Sequence, residues 1–284
     1  FDPDGSDAWS DQDLLAEGCR IGAPPDDFAP DGQDWGLPPY VPWKLRADGY
    51  RPWMATLRAQ LAHTSALRID HVMGLFRLFW VPPGGTPAGG TYVAHAGTAM
   101  LDLAVMEAVR AGAVLVGEDL GTVEPSVRTA LEERGVLGYR IGWFEDAPPQ
   151  EWPAETLAST TTHDLPTVAG LWTGADARRR ADAGLPVDPD DEELLRHRLR
   201  VLTSSPDGRP TEEVLLAAEG AVAASPSLLA VATLEDACGV EERPNQPGTV
   251  DELPNWRLAL PVRVEDLGTT AAPGIAAAMR GAGR

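Results

Sequence analysis

Apolar residues recur along the chain in short runs that alternate with stretches of helical period. Met54, Leu57 and Leu61 repeat at a spacing of three to four residues, which predicts a helix beginning near residue 53. The run 66–70 that follows reads as a short buried strand ending in a charged residue. A helix that leads directly into a buried strand is the first indication of a β/α arrangement.

The same alternation continues towards residue 234. Helices are predicted over 101–108, 125–134 and 211–224. Further short strands are predicted over 113–116, 139–144, 159–162 and 227–234. Gly112 and Gly135 are placed to end the first two helices, since glycine favours the left-handed backbone of a helix C-terminus. Five short apolar strands separated by helical segments predict an α/β fold with parallel strands.

Two regions depart from this alternation. Residues 1–52 are punctuated by Pro and Gly and carry scattered aromatics, which favours loops that present side chains at a surface. The stretch 174–225 is long for a single crossover, so we expect it to form a helical excursion outside the sheet.

The net charge of the sequence limits which kinds of molecule the protein could bind. The sequence has 43 acidic and 23 basic residues, a formal net charge of −20. Such a balance argues against nucleic acid and against a membrane surface, because both require a basic footprint, and no apolar run approaches the length of a membrane span. Cys19 and Cys238 are far apart in the sequence, so we expect no disulfide framework and a cytoplasmic location.

Three carboxylic acids fall where predicted strands end. Asp70, Glu118 and Asp164 are 48 and 46 residues apart, which leaves room for one or two β/α units between neighbours. Because the carboxyl ends of parallel strands form the active face of such folds, we expect these acids to converge. Clustered acids repel one another and raise at least one pKa, as a general acid requires. Glycoside chemistry uses such a pair, one acid as nucleophile and one as proton donor.

The segments around these acids carry a family resemblance. The similar segments are RIDHVMGL (68–75), GEDLG (117–121), THDLPT (162–167), GAPPDDF (22–28), GQDWGLP (32–38), NQPG (245–248) and PNWR (254–257). In their order along the chain, these segments resemble the signature blocks of the 4-α-glucanotransferases, also called amylomaltases or disproportionating enzymes, of the α-amylase superfamily. The resemblance extends over nearly the whole chain.

The resemblance implies a catalytic role for each acid. Asp70 would be the nucleophile of a retaining double displacement, Glu118 the general acid and then the base, and Asp164 a third carboxylate that binds sugar hydroxyls. Arg68 would hold Asp70 ionised from the same strand face. Asp119 is interpreted as a brace for the turn after Glu118.

The resemblance implies that the remaining residues would bind substrate. They are His71, His163, Gln33, Trp35 and Asn245, of which Gln33 and Trp35 would belong to a loop that covers the acceptor. The expected partners are a maltooligosaccharide or α-glucan donor and a sugar acceptor, with no metal and no cofactor.

The resemblance also implies a (β/α)8 barrel of the α-amylase type. The five strands predicted here would be its C-terminal strands, so the expected barrel is incomplete and its upstream part would be a partner. Residues 1–284 would form the C-terminal part of one catalytic domain, with a substrate-covering region at 22–52 and a helical excursion at 174–225. The N-terminus has neither an initiator Met nor a signal-peptide pattern, and we expect the sequence to be a fragment.

Three other functions fit parts of the same sequence. A retaining α-glucan hydrolase would use the same three acids and differ in admitting water to the intermediate. An inactive glucan-binding fragment would use the N-terminal aromatics. A metal-dependent hydrolase would use Asp70, His71, Glu118, His163 and Asp164, but no HExxH or paired-cysteine motif supports zinc.

Overall fold

The computed structural model describes residues 3–25, 31–249 and 251–284. The chain divides into two compact units, 1–138 and 139–284, and both mix helices with strands. The fold is therefore of the α/β class, as predicted. Within the described ranges, no helix combines the length and the apolar character needed to cross a bilayer.

In its described residues, unit 1 contains an antiparallel sheet, a parallel strand pair and five α-helices. Its strands are β1 (Arg20–Ala23), β2 (Gln33–Leu37), β3 (Ala66–Ile69), β4 (Arg77–Val81), β5 (Thr91–Ala94) and β6 (Val114–Gly117). Its α-helices are α1 (Ser6–Ser10), α2 (Pro42–Ala47), α3 (Arg51–Leu61), α4 (Gly97–Ala111) and α5 (Pro125–Glu132). The antiparallel sheet has the order β2-β1-β4-β5.

The parallel pair of β3 and β6 positions the first two acids. The register places Ile69 opposite Gly117. The ladder continues past both strand ends, because Glu118 N donates to Ile69 O at 2.9 Å and Val72 N donates to Glu118 O at 3.0 Å. Residues 70 and 118 therefore stand side by side where the two strands stop.

Helices α3 and α4 cover the parallel pair with an apolar core. Leu57 and Leu61 of α3 pack in one cluster with Leu101 and Ala108 of α4 and with Leu115 of β6. Helix α4 ends at Gly112, whose φ of 67° is the left-handed cap that the sequence predicts. Since Leu101 is fully buried, its replacement by Ala would cost about 2–5 kcal/mol of unfolding free energy.

The part of unit 2 that the structure describes has one small sheet and six α-helices. Its strands, in sheet order, are β7 (Gly138–Ile141), β8 (Thr156–Ser159) and β9 (Leu229–Val231), of which β8 and β9 are parallel. Its helices are α6 (Val168–Thr173), α7 (Ala175–Asp182), α8 (Pro189–Thr203), α9 (Thr211–Ala223), α10 (Leu234–Ala237) and α11 (Ala272–Gly281). Helices α7, α8 and α9 account for the predicted helical stretch 174–225.

Three predictions of local structure were wrong in detail. Residues 1–52 contain β1, β2, α1, α2 and the start of α3 rather than loops alone, because β1 finds its second partner in β4, far along the chain. Strand β8 ends at Ser159, so residues 160–162 lie after the strand and not in it. The segment 227–234 forms a strand only over β9.

Candidate active site

Asp70 emerges from the end of β3 beside a fixed cation. Arg68 lies two residues earlier and therefore on the same face of the strand. Its Nη1 is 2.7 Å from Asp70 Oδ1. The Asp70 side chain is 72% exposed, so the carboxylate is oriented by the guanidinium and open to a reacting partner.

Glu118 has the same position on β6 but a different environment. Its Oε2 accepts from His71 N at 2.9 Å and its Oε1 accepts from Leu120 N at 2.8 Å. Burial raises the pKa of Glu118 above its ordinary value, and the nearby charge of Asp70 adds to the increase. The two backbone donors and the charge of Arg68 act in the opposite direction but do not cancel it. Glu118 thus retains a proton to higher pH than an ordinary glutamic acid does.

His71 joins these two acids through a strained backbone. Its φ of 44° lies in the left-handed region, which is uncommon for a residue with a side chain. This conformation directs its N–H to Glu118. Gly74 leaves room for the ring, because a Cβ at that position would come within 3.3 Å of His71 Cδ2. Burial lowers the pKa of His71, which favours a neutral ring at pH 7.

Gln33 and Trp35 extend from β2 towards His71. The Trp35 ring packs edge-on against the His71 ring with centroids 5.4 Å apart, and Trp35 Nε1 donates to Gln33 Oε1 at 3.1 Å. Trp35 remains 37% exposed. Of the predicted covering region, residues 26–30 lie outside the described residues. Six predicted site residues therefore form one group in unit 1: Gln33, Trp35, Arg68, Asp70, His71 and Glu118.

The other three predicted site residues form a second group, in unit 2. Asn245 Nδ2 donates to Asp164 Oδ1 at 2.7 Å, and His163 Nε2 lies 3.3 Å from Asp164 Oδ2. Asn245 N also donates to His163 O at 3.0 Å, and Arg243 Nη1 donates to Asp164 O at 3.0 Å. The segment around residue 245 thus holds both the backbone and the side chain of Asp164.

Trp256 is an exposed aromatic residue of this second group that lies in the motif PNWR but was not among the predicted site residues. Its ring centroid is 5.1 Å from that of His163, and the side chain is 65% exposed. Its φ of 59° is left-handed. Asn255 stabilises the turn, because its Oδ1 accepts from Gln246 N and its Nδ2 donates to Thr249. The sequence signal that could have assigned Trp256 to the site is its aromatic side chain within the motif PNWR.

Asp119 has contacts that fit its predicted role as a brace for the turn after Glu118. It is buried, its Oδ2 is 3.4 Å from Arg128 Nε, and its carbonyl accepts from Arg128 Nη2. Across the residues that the structure describes, no group of three or more His, Cys, Asp or Glu side chains is arranged to hold a metal ion.

Fold and site together define an α/β protein with a carboxylate pair at the ends of two neighbouring parallel strands. A family model described as 4-alpha-glucanotransferase matches residues 1–265. The chain therefore belongs to the 4-alpha-glucanotransferase family, which confirms the resemblance.

Sequence relatives agree with this assignment. The chain is 45% identical over 294 residues to the 4-alpha-glucanotransferase of Mycobacterium tuberculosis, covering 94% of this chain and 41% of that protein. It is 34% identical to the one from Haemophilus influenzae, covering 90% of this chain and 40% of that protein. The chain thus spans about two fifths of the length of the curated relatives it matches.

Solved structures give the same picture of the fold. The amylomaltase from Corynebacterium glutamicum matches with a TM-score of 0.88 and 36% identity, over 98% of this chain and 44% of that one. The amylomaltase from Streptococcus agalactiae, solved in complex with acarbose, matches with a TM-score of 0.76 and 20% identity, over 100% of this chain and 56% of that one. The second likeness concerns the fold alone.

Proposed function

We propose that this protein transfers α-1,4-glucan segments between maltooligosaccharides or glucans by a retaining double displacement. One observation carries the proposal: neighbouring parallel strands end in two acids of opposite character. Asp70 is exposed and paired with Arg68, whereas Glu118 is largely buried and has a raised pKa. A retaining glycosidase mechanism requires one carboxylate nucleophile and one protonated acid.

In the first step a carboxylate oxygen of Asp70 attacks the anomeric carbon of the donor. The bond from that carbon to the glycosidic oxygen breaks, and the leaving oxygen takes the proton of Glu118. The products are a glucan released with a new hydroxyl and a glycosyl ester on Asp70. Arg68 orients the attacking carboxylate throughout this step.

In the second step an acceptor sugar hydroxyl gives its proton to Glu118. The acceptor oxygen attacks the anomeric carbon, and the ester bond to Asp70 breaks, so both acids return to their starting states. Two inversions at the same carbon leave its configuration retained. The chemistry is complete without a cofactor or a metal.

The second group of residues, in unit 2, serves substrate binding. Asp164 accepts hydrogen bonds from sugar hydroxyls, while Asn245 and His163 hold its carboxylate in a single orientation. Trp256 and Trp35 each present an exposed ring that suits packing against the apolar face of a glucose unit. The maltooligosaccharide or α-glucan donor and the sugar acceptor are the proposed partners.

The proposal includes the larger setting of these residues. The parallel strands belong to a (β/α)8 barrel of the α-amylase type within one catalytic domain, with 22–52 covering the site and 174–225 packed outside the sheet. The high structural similarity to a solved amylomaltase supports this part. A cytoplasmic location fits the free thiols of Cys19 and Cys238.

Product analysis with maltotriose tests the proposal, using the protein expressed from its complete coding sequence. We expect glucose together with maltooligosaccharides longer than maltotriose, because a sugar hydroxyl resolves the intermediate. Glucose and maltose alone would instead identify a hydrolase. The absence of any conversion, with glucan binding that depends on Trp35, would identify a binding protein. Asp70→Asn is the control for a contaminating activity.

A further inference from the structure

Three polar side chains meet in the interior of unit 2, apart from the groups that the proposed mechanism uses. They are Thr160, after β8, Glu219 of α9 and Asp236 of α10, and each has a relative exposure of 0%. Thr160 Oγ1 is 3.0 Å from Glu219 Oε1 and 3.3 Å from Asp236 Oδ2. One hydroxyl therefore lies between two buried carboxyl groups.

The two carboxyl groups have unequal hydrogen-bond partners. Asp236 Oδ1 accepts from Val168 N at 2.8 Å, and its Oδ2 accepts from Thr233 Oγ1 at 3.0 Å. Glu219 has Thr160 as its partner, and its Oε2 has none among the residues that the structure describes. Backbone and hydroxyl donors stabilise a carboxylate, so the environment favours the ionised form of Asp236 over that of Glu219.

The number of available hydrogens determines which group donates in each of these two contacts. The hydroxyl of Thr160 has one hydrogen and can donate it to one carboxyl group at a time. Both contacts are hydrogen bonds only if the second carboxyl group donates to Thr160 Oγ1. We propose that Glu219 and Asp236 share one proton, held by Glu219 and donated to Thr160, whose own hydrogen is donated to Asp236.

The charges around Thr160, Glu219 and Asp236, here called the trio, agree with a single shared proton. Glu235, beside Asp236 on α10, and the mutual repulsion of the two acids disfavour a second negative charge. Helix α6 and strand β8 contain no charged residue. Neither Arg280 of α11 nor the charged residues of α8 form an ion pair with either acid in the described part of the chain. Burial raises the pKa of Glu219 to about 8 and that of Asp236 to about 6.

The position of the trio gives it a consequence for the candidate site. Asp236 bonds to Thr160 on one side of the segment 160–168 and to Val168 on the other. His163 and Asp164 lie between these two attachments. Glu219 and Asp236 are therefore positioning residues for Asp164, a role that rests on the proposed function, whereas the shared proton does not depend on it.

Thermal unfolding as a function of pH tests the shared proton. The raised pKa of Glu219 means that its contribution to stability is fully present below the unfolded-state pKa of about 4.3. As pH rises, the unfolded state ionises first, so the contribution is lost up to the folded-state pKa of about 8. Glu219→Gln keeps a donor for Thr160 and cannot titrate.

We expect the Tm of Glu219→Gln relative to that of the wild-type protein to rise by about 5 °C or more between about pH 5 and pH 8. Glu212→Gln, at an exposed position of the same helix, is the matched control and should follow the wild-type curve. Parallel curves for wild type and Glu219→Gln would overturn the shared proton.

Infrared spectroscopy at pH 7 provides an independent measurement. The carbonyl band of a protonated carboxylic acid should be present in the wild-type protein, absent from Glu219→Gln and retained in Glu118→Gln. If Glu219→Gln does not fold, the pair Thr160→Ser and Thr160→Val replaces it. The serine variant keeps the hydroxyl and should keep the band unchanged, and the valine variant should shift or lose it. Identical bands in both would contradict the proposal.

The positioning role has its own readout in the imidazole resonance of His163. Near pH 8, when the trio loses its proton, this resonance should move in the wild-type protein and stay in place in Glu219→Gln. An unchanged wild-type resonance would remove the positioning role. Absence of glucan transfer with the Tm and infrared differences intact would instead contradict the proposed function and leave the shared proton standing.

Discussion

The two units present their acids in different ways. In unit 1, Asp70 and Glu118 are the first residues after β3 and β6, and the strand ladder itself sets their spacing. In unit 2, Asp164 lies five residues beyond the end of β8, on a segment held by hydroxyl and carboxyl groups. The backbone of a sheet is sufficient to place the first two acids, whereas the third depends on side chains.

The electrostatic environments of the acids also differ between the two units. Asp70 is paired with the Arg68 guanidinium, and burial together with the charge of Asp70 raises the pKa of Glu118. The Asp164 carboxylate accepts from the neutral amide of Asn245 and lies beside the His163 ring. This difference suits chemistry at the first pair and substrate orientation at the third acid, and it sets the order of the effects expected from substitution.

The largest effect is expected for Asp70→Asn, since an amide cannot attack the anomeric carbon. Transfer activity should fall on the order of 10⁴-fold or more, as for loss of a nucleophile elsewhere. Asp102→Asn, which removes another arginine-paired carboxylate of unit 1, is the matched control and should retain activity. A comparable loss in Asp164→Asn but not in Asp70→Asn would reverse the assigned roles.

Glu118→Gln should reduce transfer from natural donors by about 10²- to 10⁴-fold, because the leaving oxygen loses its proton donor. A glucosyl fluoride needs no such proton and should still glycosylate Asp70. The ester should then accumulate, since the base for the second step is also missing. Mass spectrometry should locate the adduct on the peptide that contains Asp70, and an adduct on the Asp164 peptide would contradict the mechanism.

Asn245→Ala should have an intermediate effect, a loss of about 10- to 100-fold, equivalent to the 1.5–3 kcal/mol of a hydrogen bond to a charged group. The loss should occur with natural donors and with glucosyl fluoride alike, because Asn245 orients Asp164 and moves no proton. Steady-state kinetics with both donors measures this. If Asn245→Ala had normal activity with glucosyl fluoride, Asn245 would act with Glu118 in acid catalysis. The proposed difference in role between the two units would then be wrong.

Trp256→Ala should raise the KM for maltotriose about 10-fold with little change in kcat, by loss of apolar contact with the sugar. Trp9→Ala is the control, because Trp9 is similarly exposed, on α1 of unit 1, and lies outside the proposed covering region 22–52. Equal effects from the two substitutions would indicate a general loss of surface binding.

The smallest expected effect is a displacement of the pH profile. The charge of Arg68 lowers the pKa of Glu118, so Arg68→Leu should raise it further. Because Glu118 must be protonated to act as the acid, the alkaline limb of kcat/KM should move to higher pH. Asn245→Ala should leave that limb in place. A limb that moves to lower pH would show that another group controls it.

Local patterns predicted the elements that local interactions stabilise. Helix α4 follows from its apolar period and from Gly112, and β3 and β6 follow from short apolar runs. Strand β2 was missed because Gly36, Pro38 and an exposed Trp35 read as a loop. That strand exists because it pairs with β1, which in turn pairs with β4 some 60 residues away.

By itself, the sequence determined the family, the identities of the candidate site residues and the acidic character of the protein, because these depend on residue type and order. Tertiary structure decided which acid is buried, because packing creates the surroundings of each side chain. The burial of Glu118 in turn raises its pKa. Tertiary structure also decided the left-handed backbone of His71 and the meeting of Thr160 with Glu219 and Asp236. Those partners are 59 and 76 residues away along the chain, a distance over which no local pattern signals a contact.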